Sequence, residues 1–177
     1  MILQTDHTGS YPIRLFLIGL FLLLGMQHAF SQAGNTSPLS AEEVATYKEQ
    51  ARRMVSFLEF SFNTLGSVET PTREKETIIN ESYLKAFEYP EVQIVDDLVL
   101  GRSVSTRKDV QAYLKDIDFF YKDVRFEFMV EEVTYRVNAE DKVYFTVTTS
   151  RNLQGVSIEN DSVNQSQIRF VEMNLDV

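Results

Sequence analysis

Asp96 and Asp97 stand side by side in the run Val92 to Val99. In a chain with few reactive side chains, they are the pair best suited to proton transfer. A carboxylate desolvated in an apolar cavity rises in pKa and can act as a general base. Tyr47 and Tyr83 are the phenols that could work beside it. Adjacent strand residues point to opposite faces, so one of the two Asp side chains at most can enter a given cavity. The competing reading leaves one carboxylate in water and the other bonded to a turn or a helix end.

The remaining polar clusters point less directly at chemistry. Asp116 and Asp118 flank Ile117 in a helical stretch, and a two-residue offset keeps them from facing each other, which fits a solvated surface. Glu131-Glu132 could re-aim a carboxylate if the strand bulges there, or could simply be an exposed irregularity. Glu159 with Asn160-Asp161-Ser162 is oxygen-rich, as calcium ligands must be, but lacks the spacing of a known loop and reads as a hairpin turn. No metal site and no cofactor are expected. Asn35, Asn80, Asn160 and Asn164 each open an Asn-x-Ser pattern, which matters only in a host that glycosylates such sites.

Both histidines, His7 and His28, lie in the first 31 residues. There Arg14 precedes the apolar run Leu15 to Met26, and Ala29-Phe30-Ser31 places small residues at the positions a signal peptidase reads. The apolar run is shorter than the roughly 20 residues of a membrane-spanning helix. The expected organisation is therefore a signal peptide over 1–31, a linker over 32–39 and one domain over 40–177. Cleavage near Ser31 exports a chain with no His, Cys or Trp. That removes Cys–His and Ser–His–Asp nucleophile systems and the usual zinc ligands. No glycine-rich phosphate loop is present either.

The net charge is −9, and Asp6 and Arg14 cancel, so it does not change on cleavage. An acidic chain lacks the basic face that nucleic acid or an anionic membrane requires. Without disulfides, stability must come from packing. Phe62, Phe87, Phe120, Phe126 and Phe128 belong to an aromatic set that either fills a core or lines a pocket for an apolar ligand.

These residues must be positioned by elements of two periods. Ser40 and Glu43 have capping-box spacing, and Val44, Tyr47, Ala51, Met54, Val55, Leu58 and Phe62 recur at helical steps. Gly66 is the expected terminator. A second helix starts at Thr70-Pro71, breaks near Asn80 and closes at Pro90. Val92 to Val99 reads as a strand, and Thr106 with Asp109 reads as the capping pair of a third helix, whose apolar face is Val110, Tyr113, Leu114 and Ile117.

From Val124 onward the period is two. Val124, Phe126, Phe128 and Val130 share a side, and the apolar phase then slips to Val133, Tyr135 and Val137. A strand cannot change faces without an extra residue, so a β-bulge is predicted at Glu131-Glu132. Gly155 marks a bend in the next long strand. A last strand runs from Gln167 and stops in mid-pattern, which raises the expectation of a longer protein.

Helices, a strand, a helix and then long antiparallel strands make an α+β order. With the predicted bulge, Tyr83-Leu84-Lys85-Ala86-Phe87 ahead of the Val92 strand and Tyr113-Leu114 in the third helix, the chain resembles the NTF2-like (cystatin-like) superfamily. It also resembles uncharacterised N-terminal domains of exported bacterial proteins. The resemblance implies helices packed in a strongly bent antiparallel sheet, here short of a final strand. Three functional classes are open, the first favoured by the export signal and the missing catalytic residue types. The first is an exported, non-enzymatic module for a protein or small apolar ligand. The second is a cavity enzyme of isomerase or dehydratase type using Asp and Tyr, and the third is a homodimerising scaffold. Fold alone does not choose among them.

Overall fold

A computed structural model describes residues 39–98, 106–140 and 142–174. The expected signal peptide, both histidines and nearly all of the expected linker lie outside them, as do Val99, Asp141 and residues 175–177. Among the described residues the chain is α+β, with three α-helices and two antiparallel sheets. None of these helices is long and apolar enough to cross a membrane.

Helix α1, Ala41–Gly66, begins at the predicted capping box. The Ser40 Oγ accepts from the Glu43 N–H at 3.3 Å, and the Ser40 N–H donates to Glu43 Oε2 at 2.8 Å. The Ser40 N–H and the Ser40 hydroxyl, both donating to Glu43 Oε2, hold the exposed Glu43 carboxyl below its usual range. Leu39 was expected to end the linker. Instead it is buried in the same apolar cluster that Val44 packs against, a hydrophobic staple across the cap.

Gly66 does end α1, but not by a left-handed turn, since the cap residue Ser67 is extended. The glycine is required for contact: a Cβ there would stand 2.7 Å from Val124 Cγ2 and 2.8 Å from the Val124 carbonyl oxygen.

Pro71 caps α2, Thr72–Asn80, and the predicted break near Asn80 is a change to a 3-10 turn over Ser82–Lys85. Strand β1, Gln93–Asp96, follows. The next element corrects the sequence reading. Thr106–Asp109 is not a helix cap but strand β2, antiparallel to β1 with Gln93 opposite Asp109 and Asp96 opposite Thr106. Asp109 makes no side-chain cap bond to helix α3, Val110–Phe120; its carboxylate accepts from Gln93 Nε2 instead. Pairing with β1 satisfies this polar segment's backbone in a way its side chains do not announce.

The main sheet is β3 (Tyr121–Val137), β4 (Val143–Ser157) and β5 (Ser162–Asn174), in that order. The predicted bulge is present: the register slips between Val130 and Glu132, which keeps Val133 on the buried side. A second slip lies between Tyr121 and Asp123, beside Gly155, whose φ is 148°. The inner face of β4 is Val143, Phe145, Val147, Thr149, Arg151 and Leu153, all buried. Below it lie two apolar clusters, one around Phe62, Tyr113 and Phe126, the other around Ala51, Val55 and Phe145.

Candidate functional site

Antiparallel register sets the inner face of the sheet out in rows. Phe126, Leu153 and Gln165 form one row, Phe128, Arg151 and Gln167 the next, and Val130, Thr149 and Arg169 the third. The β5 ends of these rows are therefore polar and the β3 ends apolar, with Leu153, Arg151 and Thr149 between them on β4. Arg151 is the largest fully buried side chain among the described residues, at 1% exposure. A buried guanidinium is costly unless charges and hydrogen bonds compensate.

Asp97 supplies the compensation. It follows β1, and its side chain is 6% exposed. Its Oδ2 forms an ion pair with Arg151 Nη2 at 2.7 Å and accepts from Arg169 Nη2, while Tyr113 Oη donates to Oδ1 at 2.7 Å. Arg169 in turn holds the Gln167 side-chain carbonyl. Helix α3, strand β4, strand β5 and the segment after β1 thus meet at one carboxylate.

The two phenols here are donors and remain protonated. Burial pushes the Tyr113 hydroxyl well above its usual range, and the neighbouring Asp97 charge adds to the effect. Tyr121 is pushed up to about 12, again chiefly by burial, and its hydroxyl donates to the Leu98 carbonyl at 2.7 Å.

Asp96 turns the other way, as adjacent residues on an extended chain must. Its side chain is buried, and Lys108 Nζ stands 2.9 Å from Oδ2. Lys108 also holds Asp116. Burial pulls the Lys108 ammonium down, but its hydrogen bonds and charge pairing with Asp116 and Asp96 outweigh that and raise it. Asp116 is therefore not the solvated acid expected from the sequence. Asp118 is paired too, with Lys75 at 2.8 Å.

The structure brings Tyr113, not Tyr47 or Tyr83, to Asp97. Tyr47 packs on Phe145, with ring centroids 6.0 Å apart, and Tyr83 is buried in the cluster around Phe62. The aromatic candidates interlock. Phe62 meets Phe126 edge-on at 5.3 Å and Phe128 at 5.9 Å, while Phe87 and Phe120 pack at the margin of the same cluster.

Glu131 and Glu132 are exposed, and Glu131 accepts from Ser150 Oγ at 2.7 Å. Asn160 and Asp161 form the hairpin turn, with Asn160 at φ 67°. Among the described residues no group of three or more His, Cys, Asp or Glu side chains could hold a metal ion.

Sequence reasoning missed Arg151 and Arg169, although each carries a signal. Arg151 falls in the inward phase of Val143, Phe145, Val147 and Leu153, and Arg169 in that of Val163, Val171 and Met173. A cation in the apolar phase of a strand implies an internal acid.

Comparison with protein-family models, with curated proteins and with solved structures gives no match. The candidate site therefore rests on its own geometry.

Proposed function

We propose that this chain is an exported, non-enzymatic ligand-binding module built on an NTF2-like bent sheet. Export is inferred from the signal-like segment ahead of residue 32. The fold reading is supported by the α+β order, the bulge at Val130/Glu132 and a long helix lying against β3.

The observation that carries the functional reading is the engagement of Asp97. Three donors occupy its two oxygens. A general base must offer an oxygen to a substrate proton, and this one is committed to two guanidinium groups and a phenol. What the cluster offers is donors in a buried, polar part of the sheet, which suits recognition better than proton abstraction.

The test is a titration of the purified protein with neutral, cationic and anionic small molecules, followed by amide NMR shifts. Binding should move the amides of Thr149 to Leu153 and Gln165 to Arg169 while every compound is recovered unchanged. Turnover of any compound by the purified wild-type protein would overturn the reading in favour of an enzyme.

One observation favours a homodimer as a second reading. Met129, Ser150 and Ile168 form a row on the outer face, with Phe170 two residues beyond. Met129, Ile168 and Phe170 are 52%, 54% and 71% exposed. The outer face of β4 carries only Tyr144, Thr146, Thr148, Ser150, Asn152 and Gln154, none of them charged. Light scattering at micromolar concentration should then give twice the chain mass, and Phe170→Glu should return the monomer.

A further inference from the structure

We propose that the inner face of β4 and β5 binds a small monocarboxylate, held by Arg151 and Gln165 with Arg169 at its mouth. The proposal rests on the ligand-binding reading above and names the chemical class of the ligand.

Its ground is a set of donors without acceptors. Arg151 Nη2 is used by Asp97 and approaches Gln165 Oε1 at 3.4 Å. Arg151 Nε, Arg151 Nη1 and Gln165 Nε2 are all buried with no partner. These two residues are 1% and 9% exposed, and an unmet donor on a buried cation is among the costliest defects a fold can carry. All three unmet atoms are nitrogens that only donate. What completes the site must therefore bring acceptor atoms, and brings them from outside the set of described side chains.

The sign of the charge narrows the choice. Arg151 and Arg169 contribute two positive charges to the cluster and Asp97 one negative, leaving one positive charge over. A monoanion balances it, whereas a dianion such as phosphate would leave excess negative charge beside Asp97. Asp96 turns to Lys108 and is paired there, although its charge reaches Tyr121 beside those of Arg151 and Asp97. In a chain of net charge −9, a local surplus of positive charge is what draws a small anion inward.

The setting selects the rest of the molecule. Leu153 and Phe126 continue the Gln165 row, and Phe128 flanks Arg151. An apolar body beside the carboxylate would lie against them. Arg169, with its side chain 23% exposed, and the exposed Gln167 mark the way in along β5.

The experiment is calorimetric titration of the full chain with sodium benzoate, against sodium chloride at matched ionic strength, with benzamide and inorganic phosphate as controls. The expected result is one benzoate per chain, a rise in melting temperature with benzoate concentration, and at least tenfold weaker binding of both controls. Arg151→Lys keeps a cation for Asp97 but removes two of the three unmet donors, and Gln165→Leu removes the third. Each should weaken benzoate at least tenfold.

Should either variant fail to fold, the wild-type protein still decides. Benzoate must shift the Arg151 Nε–H resonance, and the partly exposed Arg169→Gln must reduce its affinity. If benzamide binds as well as benzoate, the anion assignment is overturned while ligand binding stands. If no compound of any charge binds the folded protein, both fall, and ordered water fills the site.

Discussion

Asn63 and Phe126 exchange two hydrogen bonds. Asn63 Nδ2 donates to the Phe126 carbonyl at 2.9 Å, and the Phe126 N–H donates to Asn63 Oδ1 at 2.7 Å. The side-chain amide takes the place of a neighbouring strand on the edge of β3. One helical turn earlier, Glu59 Oε2 accepts from the Phe128 N–H at 2.7 Å, and one turn later Gly66 presses on Val124. Steps of three and four along α1 thus match steps of two along β3. An unpaired strand edge is closed by a helix.

Asn63→Leu should remove both bonds and leave two backbone groups of Phe126 without partners. Each orphaned buried group costs about 1–3 kcal/mol. Asn63→Asp keeps an acceptor for the N–H but loses the donor to the carbonyl, so its loss should be smaller. Urea denaturation is the measurement. A loss for Asn63→Leu below about 0.5 kcal/mol, the size of an ordinary surface change, would show that the edge is not held by this residue.

Gly155 and Gly66 should respond differently to alanine. At Gly155 the φ of 148° excludes an L side chain, and an added Cβ would stand 2.1 Å from the Asp123 carbonyl oxygen. At Gly66 the backbone is permissive and the obstacle is Val124 alone. Gly155→Ala should therefore be the more destabilising, by melting temperature. Adding Val124→Ala should fail to rescue Gly66→Ala, because the Val124 carbonyl oxygen at 2.8 Å remains. Full rescue by the double substitution would place the obstacle in the side chain.

These relations bear on how far the fold could be read in advance. The capping box at Ser40, the break near Asn80, the bulge at Val130/Glu132 and the bend at Gly155 are local, and their residue types announce them. Thr106–Asp109 is a polar tetrapeptide with helix-cap spacing. Only its pairing with β1 makes it a strand, and that partner lies ten or more residues away.

The site divides in the same way. Asp96 and Asp97 stood out as a pair, and their divergence follows from strand geometry. That Asp97 meets Arg151 and Arg169 depends on the β4–β5 register, which no local pattern encodes. Glu59 and Asn63 read as the polar flank of α1, and nothing in their spacing says that a strand edge needs them.

Asp97→Asn should be one of the most damaging single changes in the chain. It leaves Arg151 with a neutral partner in a nearly dry site, and breaking a buried pair in that way costs about 3–5 kcal/mol. Arg169→Gln should cost under about 1 kcal/mol, since that side chain reaches solvent and Asp97 keeps Arg151. The two stabilities, compared by chemical denaturation, test which guanidinium the carboxylate serves. Equal losses would mean that Arg169 shares the burial of the pair.

High pH should unfold the protein by way of its tyrosines. An exposed phenol ionises near 10, whereas Tyr121 is raised to about 12 and Tyr113 well above 10 in the folded chain. The unfolded chain therefore releases these protons first, and linkage makes stability fall as pH rises. The contribution is complete below pH 10 and is lost progressively as pH climbs through the folded values. Lys108 acts in the same direction, because its folded ammonium is also raised.

Tyrosinate absorbance at equilibrium should then show a late, cooperative step above pH 10 that coincides with loss of circular dichroism. Tyr121→Phe tests the assignment. It removes the bond to the Leu98 carbonyl and lowers stability at neutral pH by about 1 kcal/mol. It also removes one proton from the linkage, so the stability lost between pH 10 and 12 should be smaller than in the wild type. An unchanged alkaline slope in Tyr121→Phe would take Tyr121 out of the account and leave Tyr113 and Lys108 to explain it.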